Sequence, residues 1–339
     1  MRRFVDLHTH STASDGAVSP RELVRLAEAK RLAAIALTDH DTLAGLREAA
    51  DEAKRHPDLR FVPGIEVSAR FPSGTMHILG LGIDEAAAPL GKLIATLRAA
   101  RDERNPKIIA ALQSLGYPID MDDVLAAARC RGLPRRSRQP TSDPDNGRDS
   151  LRAGRVTWLA AEDASSHGTG RIPLVHTDET PVLREHTVGR VHIAEALRRK
   201  GCVASIAEAF ERLIGHDGPA YVDKERLDPP EVVRAIADSG GAAVLAHPPQ
   251  LLYENLAQLE RIVKGLAGHG LAAIEAYHSD NTPEQTRAYM KLARKYRLGV
   301  TGGSDFHGPA KPDVRLGRPP VPLAALEGRL REIVMGAGG

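Results

Sequence analysis

The fold is indicated by residues 4–40, which read FVDLHTHSTASDGAVSPRELVRLAEAKRLAAIALTDH. Residues 4–7 are predicted to form one strand and residues 34–38 a second. Between them lies SPRE at 19–22, with serine as N-cap, proline in the first turn and glutamate three positions after the cap. This order of strand, helix and strand favours a parallel sheet or barrel.

The same alternation continues along the chain. Further strands are predicted at 61–67, 75–81, 242–246, 271–276 and 299–302. Helices are predicted from Asp41 or Thr42 to 55, from 228 onward, at 256–268 and at 283–296. Seven strands favour a closed or nearly closed barrel over a flat sheet.

The middle of the chain has a different pattern. Residues 90–128, 193–199 and 205–214 are predicted to be helical, so we expect a barrel of residues 1–89 and 226–325 with a helical insert at 90–225. Within the insert, 131–189 shows no helical or strand period, and its first twenty residues carry five Arg, three Pro and three Asp. A disordered surface loop is the simplest interpretation, and a basic arm for RNA is the alternative.

The composition excludes several classes of protein. The 339 residues carry 46 Lys and Arg against 44 Asp and Glu, which excludes a strongly basic nucleic-acid coat. No run of eighteen apolar residues occurs, so we expect no membrane-spanning helix, and the N-terminus lacks a signal peptide's apolar region. Two cysteines provide no disulfide framework, which favours a reducing cytoplasm.

Histidines and carboxylates recur where the predicted strands end. His8 and His10 are two positions apart on an extended segment, so both rings can reach one ion. The other candidate metal ligands are Asp15, His40, Glu66, His77, His247, Asp305 and His307. Most of them lie at or beyond the carboxyl end of a strand, which is the active-site face of a barrel. Nine ligands suit two or three ions bridged by a carboxylate.

The ligand types indicate which ions bind. Imidazole and carboxylate without thiolate suit Zn²⁺, Mn²⁺ or Fe²⁺. Clustered divalent ions of this kind typically serve the hydrolysis of phosphoesters. The expected cofactors are therefore two or three divalent ions, and the expected activity is that of a phosphoesterase.

Five motifs in order resemble those of the PHP (polymerase and histidinol phosphatase) phosphoesterases. They are His8-Thr9-His10, Thr38-Asp39-His40, Gly64-Ile65-Glu66, Ala246-His247-Pro248 and Gly303-Ser304-Asp305-Phe306-His307. The resemblance covers about residues 1–129 and 188–320 and implies an α/β fold, a distorted (β/α)7 barrel that holds three metals.

The resemblance also implies how the ligands are shared. His8, His10, Glu66 and Asp305 would bind one ion; Glu66 would bridge to a second ion held by His77 and His247; Asp15, His40 and His307 would bind a third. Many PHP proteins have histidine at the position of Asp15.

One branch of the family is most similar. Residues 190–194 (RVHIA) and 218–222 (GPAYV) resemble segments of the 3′,5′-nucleoside bisphosphate phosphatases, also described as 5′→3′ exoribonucleases, although Val191 replaces the usual proline. The resemblance implies removal of the 3′-phosphate from a 3′,5′-bisphosphate nucleotide, or trimming of short RNA from its 5′ end. Arg190 and His192 would then be substrate contacts. The alternatives are a surface charge for Arg190 and helix capping or packing for His192.

The leaving ribose hydroxyl needs a proton, for which His192 and His278 are the candidate catalytic residues. His278 follows a strand end and is expected to line the pocket. Arg101, Arg104 and Lys224 are possible phosphate contacts, although exposed charges are the simpler interpretation. Asp39 and Asp41 flank His40, and one of them is a candidate to orient it. For Asp41 the alternative is capping of the next helix.

Three other functions stay open at this point. They are another PHP phosphatase such as histidinol-phosphate phosphatase, a polymerase-associated proofreading nuclease, and a metal-stabilised binding module without activity. The complete ligand set argues against the last. We expect a nucleotide or short RNA as the substrate, no membrane association and no obligate protein partner.

Overall fold

The computed structural model describes residues 2–72, 75–129 and 187–336. These residues contain eight strands, which include all seven that the sequence predicts. The strands are β1 (Phe4–Asp6), β2 (Ala34–Leu37), β3 (Arg60–Ala69), β4 (Met76–Leu81), β5 (Ala242–Leu245), β6 (Ala273–Tyr277), β7 (Gly299–Gly302) and β8 (Val321–Pro322).

The strands form one sheet in the order β7-β6-β5-β4-β3-β2-β1-β8. The sheet curls into a nearly closed barrel, because the Leu7 amide donates to the Gly302 carbonyl at 3.1 Å and Thr9 bridges to Phe306. The α/β barrel is thereby confirmed, but it is not wholly parallel. Strand β4 is antiparallel to both β3 and β5, and β8, which the sequence did not predict, is antiparallel to β1.

Helices cover the barrel and form the region that follows β4. They are α1 (Pro20–Ala29), α2 (Leu46–Ala53), α3 (Ala88–Ser114), α4 (Met121–Arg129), α5 (Arg190–Arg199), α6 (Ile206–Ala209), α7 (Pro229–Asp238), α8 (Leu256–Ala267), α9 (Pro283–Lys295) and α10 (Gly328–Met335). A π-helical turn at Phe210–Ile214 continues α6. Within the described ranges, no helix is both long and apolar enough to cross a bilayer.

The N-termini of the first two helices show one prediction confirmed and one wrong. The Ser19 hydroxyl accepts a 3.2 Å hydrogen bond from the Glu22 amide, and Pro20 occupies the first turn of α1. The second helix, predicted from Asp41 or Thr42, begins only at Leu46. Asp41 has a left-handed φ of 54°, which turns the chain out of a helical path.

Alternation along the strands creates two apolar layers. Small and branched side chains such as Val5, Ala36 and Val244 fill the barrel interior, while Ile35 and Leu245 face the surrounding helices. Successive side chains of a strand point to opposite faces, so each strand serves both layers. The narrow interior keeps the barrel packed and leaves polar groups to its end.

Helix α3 links the barrel to the helical region. Its first half packs Leu90 and Leu97 on the barrel core, and its second half packs Ile108 and Leu112 with α4, α5 and α6. We keep the division into a barrel and a helical insert at 90–225 as a proposal. Most of the loop predicted at 131–189 lies outside the described residues.

Gly303 brings the last barrel strand against the first. A β-carbon at this position would lie 2.4 Å from the backbone nitrogen and β-carbon of His8, which is too close for any atom pair. We expect Gly303→Ala to lower the free energy of unfolding by roughly 1–3 kcal/mol. Urea titration would measure the change.

The matched control is Gly91→Ala, at a helical position where a β-carbon meets no atom within 4 Å. It should raise the free energy of unfolding by about 0.5–1 kcal/mol, because alanine has less backbone freedom to lose. Equal stabilities for Gly303→Ala and the wild type would contradict the close approach of β7 to β1.

Candidate active site

The nine side chains predicted as metal ligands converge at one end of the barrel. His8 and His10 follow β1 and are completely buried, and Asp305 and His307 follow β7 beside them. His77 belongs to this end because β4 runs antiparallel, which brings the beginning of that strand to the carboxyl ends of its neighbours. Among the described residues, the groups with metal-binding geometry are His8-His10-Glu66-Asp305, His10-Asp15-His40-His307, His40-Glu66-His77 and His8-Glu275-His278.

Glu66 is the centre of the cluster. Five imidazoles contact its carboxylate: His8 Nε2 at 3.3 Å, His10 Nε2 at 3.1 Å, His40 Nδ1 at 3.1 Å, His77 Nδ1 at 2.7 Å and His247 Nε2 at 3.0 Å. Burial raises the pKa of Glu66, but the surrounding histidines outweigh it and hold that pKa well below its usual value. Glu66 therefore carries a negative charge against several ring nitrogens.

Asp305 and Asp15 complete the two larger groups. Asp305 Oδ1 lies 3.2 Å from His10 Nε2 and 3.5 Å from His8 Nε2. Asp15 Oδ1 lies 3.2 Å from His307 Nε2, and Asp15 Oδ2 lies 3.7 Å from His40 Nε2. His10 thus stands between the two carboxylates and belongs to both groups.

The cluster contains buried polar atoms that lack a hydrogen-bond partner. Among the described residues they are His8 Nε2, both ring nitrogens of His10, His40 Nδ1, Glu66 Oε2, His247 Nδ1 and His278 Nε2. An unsatisfied buried polar atom costs roughly 1–3 kcal/mol, so seven in one place require an explanation. Coordination of divalent cations would satisfy imidazole nitrogens and carboxylate oxygens together. The donor set therefore fits metal binding.

Glu275 is a residue of this site that the sequence analysis missed. It lies on β6 without solvent exposure, and its Oε1 is 3.0 Å from His8 Nδ1, while its Oε2 accepts the His247 amide at 2.7 Å. When a carboxylate accepts a hydrogen bond from one ring nitrogen of a histidine, it orients the ring so that the other nitrogen faces the ion. The available signal was an acidic residue inside the apolar strand AIEAY, since a buried carboxylate needs a partner.

Two further carboxylates hold the loops that carry the cluster. Asp39 accepts from the amide and hydroxyl of Ser11 at 2.8 and 2.6 Å and from the Ser14 hydroxyl, beside Asp15. Asp6, also missed from the sequence, accepts from the amide and hydroxyl of Ser304 at 2.9 and 2.6 Å. Burial raises the pKa of Asp6 to about 6. The bonds that Asp39 accepts from Ser11 and Ser14 support the turn before Asp15.

A cavity of about 260 Å³ opens beside the cluster. One part of its lining, the cluster wall, consists of Asp15, His40 and His77. Another part, the cation wall, consists of five cations from the helical region and the segment after it, which are Arg101, Arg104, Arg190, Lys224 and Arg226. A larger groove of about 1130 Å³ near Arg2 and Met335 contains none of the cluster residues.

The interpretation of Arg101, Arg104 and Lys224 as exposed charges is wrong. Arg104 is 5% exposed and Lys224 8% exposed, and the Arg101 side chain is 12% exposed. Burial lowers the pKa of Arg104, and the neighbouring guanidinium of Arg101 lowers it further. Such a cluster of desolvated cations attracts an anion, and guanidinium groups match the geometry of phosphate.

Arg190 and His192, which the family resemblance implies as substrate contacts, both line this cavity. The Arg190 guanidinium lies 5.6 Å from the Phe210 ring centre and 5.3 Å from that of Tyr221, so it is not a freely solvated charge. His192 is 1% exposed, and its Nδ1 accepts a 3.0 Å hydrogen bond from the Gly189 amide at the start of α5. The neutral ring therefore carries its proton on Nε2.

His278 lies in a different place from the one expected. It is 2% exposed, groups with His8 and Glu275, and does not belong to the cavity wall formed by the described residues. Its Nδ1 accepts the Asp280 amide at 3.1 Å, and its Nε2 is 3.9 Å from Asp305 Oδ2. The expectation that His278 lines the substrate pocket is not met.

Comparison with known proteins agrees with this geometry. The PHP domain matches residues 6–127. A 5′-3′ exoribonuclease Rnm from Salmonella typhimurium is 30% identical over 325 residues, which cover 95% of this chain and 91% of the relative. The chain belongs to the PHP family. As a PHP protein it is a phosphoesterase, a hydrolase of a metal-dependent class.

Two further similarities extend over nearly the whole PHP chain. A 3′,5′-nucleoside bisphosphate phosphatase from Chromobacterium violaceum is 28% identical over 308 residues, 91% of this chain and 88% of the relative. The structure of a predicted metal-dependent phosphoesterase from Bifidobacterium adolescentis superposes with a TM-score of 0.72 at 28% identity, covering 98% of this chain and 95% of that one. The similarity to these relatives therefore includes the helical region as well as the barrel.

Proposed function

We propose that this PHP protein removes the 3′-phosphate from 3′,5′-bisphosphate nucleotides and also trims short 5′-phosphorylated RNA from its 5′ end. The observation that carries the proposal is the single cavity of about 260 Å³ with cluster residues on one wall and five cations on the other. A substrate with two phosphates can place one at each wall. A single phosphate would leave one of the two walls without a partner.

The similarities support the same assignment. The relative from Salmonella typhimurium is named for exoribonuclease activity and the one from Chromobacterium violaceum for bisphosphate phosphatase activity. Both substrates are phosphoesters of a nucleotide with a further phosphate nearby. One site of this composition suits both, because the ester cleaved and the phosphate retained meet different walls.

We assign the cluster to two or three divalent cations, for which Mn²⁺, Zn²⁺ and Fe²⁺ are the candidates. His8, His10, Glu66 and Asp305 would hold one, Glu66 with His77 and His247 a second, and Asp15, His40 and His307 a third. Bound there, such ions would lower the pKa of a water molecule and neutralise phosphate oxygens. The contact of Glu66 with five histidines supports its role as the bridging carboxylate.

The chain's own residues bind and orient the substrate. The arginine and lysine side chains of the cation wall bind the phosphate that is not cleaved, and charge-assisted hydrogen bonds fix the orientation of that phosphate. His192 donates from Nε2 to a substrate oxygen. We assign it to binding rather than to proton transfer, because its Nδ1 already accepts the Gly189 amide and cannot take up a second proton. His278, which lies beside His8 and Glu275, is assigned to the cluster of metal ligands.

The test is release of phosphate from adenosine 3′,5′-bisphosphate by protein loaded with Mn²⁺. Adenosine 3′-monophosphate, a 5′-phosphorylated RNA pentamer and histidinol phosphate are the comparison substrates. We expect kcat/KM for the bisphosphate to exceed that for the monophosphate at least about tenfold, because one hydrogen bond to a charged group contributes roughly 1.5–3 kcal/mol. Production of mononucleotides from the pentamer is expected as well.

Other outcomes would select the alternatives. Hydrolysis of histidinol phosphate without hydrolysis of either nucleotide substrate would select the amino-alcohol phosphatase. Failure to hydrolyse any of the four substrates by metal-loaded protein would contradict the proposal. Asp305→Ala is the inactive reference, since Asp305 contacts His8 and His10 in the cluster.

A further inference from the structure

Asp41 joins the cation wall to the loop that carries His40. It is 2% exposed and has a left-handed φ of 54°. Its Oδ1 accepts the Ser68 amide at 3.1 Å, and its Oδ2 accepts from Lys224 Nζ at 2.7 Å and from Arg101 Nε at 3.1 Å. Both oxygens of one buried carboxylate are thus committed to fixed partners.

The expected roles of Asp41 do not match these contacts. It does not cap α2, which begins at Leu46 after Gly45. The His40 ring, which Asp39 or Asp41 was expected to orient, is not among the described hydrogen-bond partners of Asp41. The partners of Asp41 come instead from two separate parts of the fold, Arg101 from α3 and Lys224 from the segment before α7. A shared anion is what allows these two cations to lie together away from water.

The electrostatics show how much the cations need this anion. Burial lowers the pKa of Lys224, Asp41 opposes this shift, and Arg101 and Arg104 add to it, so that the pKa lies at about 7. A second observation concerns the space around Arg101: a β-carbon on Gly189 would lie 3.0 Å from its Nη1. The guanidinium is therefore confined between Asp41 and the start of α5, next to the substrate contacts Arg190 and His192.

We infer that Asp41 is a positioning residue that fixes Arg101 and Lys224 as a preformed receptor for the phosphate that is not cleaved. It thereby sets the preference for a bisphosphate over a monophosphate. The inference rests on the proposed function and goes beyond it, because it assigns substrate discrimination to a residue that contacts neither phosphate. Preformed cations need no rearrangement when the anion arrives, so their attraction is realised in binding.

The test variant is Asp41→Asn, which keeps the shape, tolerates a left-handed φ and removes the charge. We expect the ratio of kcat/KM for adenosine 3′,5′-bisphosphate over adenosine 3′-monophosphate to fall at least about tenfold, because the variant removes one partner of a buried charge pair and leaves the cations without the anion that fixes them. The loss should appear mainly in KM for the bisphosphate. Bound metal, measured by mass spectrometry, should stay at the wild-type level.

Two comparisons make the test specific. Asp123→Asn removes another aspartate that pairs with a lysine, Lys200, outside the cavity, and it should keep the wild-type ratio. Lys224→Met should lower the ratio by itself, and adding it to Asp41→Asn should cost less than the sum of the two single effects. If Asp41→Asn folds poorly, Lys224→Met alone still tests whether a cation held by Asp41 sets the ratio.

The outcomes separate the inference from the function on which it rests. A wild-type protein that hydrolyses neither nucleotide would overturn the proposed function, whereas one that hydrolyses both equally would overturn only the inference. Wild-type discrimination that persists in a folded Asp41→Asn protein or in Lys224→Met would also overturn the inference and leave the proposed function standing. An equal fall on both substrates together with loss of metal would also overturn it, since Asp41 would then be supporting the cluster.

Discussion

Glu66→Gln is expected to lower kcat for phosphate release at least about a thousandfold. The substitution preserves the shape of the side chain and removes the negative charge that five histidines contact. Metal ions contribute several kcal/mol to hydrolysis of this kind, and each 1.36 kcal/mol is a factor of ten in rate. The amide also offers a poorer ligand, so we expect the protein to bind fewer ions.

Two measurements test this prediction independently. Single-turnover assays report the rate, and mass spectrometry of dialysed protein reports the ion content without any assay of activity. Glu52→Gln is the matched control, because Glu52 is another buried glutamate beside a histidine, His56, and lies outside the cluster. A Glu66→Gln protein with a full complement of ions and a rate near the wild type would refute the central role of this carboxylate.

The second large effect is expected at Arg104. We expect Arg104→Met to lower kcat/KM for adenosine 3′,5′-bisphosphate by roughly a hundredfold, because a buried guanidinium that binds phosphate contributes about 2–5 kcal/mol. Arg104 donates to the Asn105 side-chain oxygen at 2.8 Å, which holds the group against the cavity. The effect on adenosine 3′-monophosphate should be much smaller, since that substrate lacks the second phosphate.

The control for Arg104→Met lies on the same helix. Arg98→Met removes a charge of the same kind from an exposed position of α3, so it should leave kcat/KM for both substrates unchanged. If Arg98→Met and Arg104→Met weakened hydrolysis equally, the effect would come from net charge. Equal losses on the two substrates would instead place Arg104 at the phosphate that is cleaved.

Much of the barrel could be predicted from the sequence, because its strands are short apolar runs bounded by polar turns. His8, His10 and Glu66 could be found for the same reason. A polar side chain at the carboxyl end of an apolar strand is expected at the active-site end of a barrel. The direction of β4 could not be predicted, since alternation within one strand carries no information about its neighbours. The late strand β8 is only two residues long, which is too short for a recognisable period.

The cation wall was harder to predict for a physical reason. Arg101, Arg104 and Lys224 are surrounded by polar sequence, so their local pattern is that of exposed helix or loop positions. Their burial arises from tertiary packing, in which distant segments meet over Asp41. Glu275 was missed for the opposite reason, because the surrounding apolar residues indicated a core strand and drew no attention to its single carboxylate. The assignments of the metal ligands and of the substrate contacts stay predictions until they are measured.

The meeting of the first and last barrel strands has a consequence for biosynthesis. Asp6 and Ser304 hydrogen-bond although 298 positions separate them in the chain, and the histidines after β1 face Asp305 across the same junction. A ribosome therefore makes seven of the nine candidate ligands long before it makes the last two, Asp305 and His307. Contacts of such large sequence separation form late in folding. We expect nascent chains that end before Gly299 to bind fewer ions than the full chain, because the first and third proposed ion sites need Asp305 and His307.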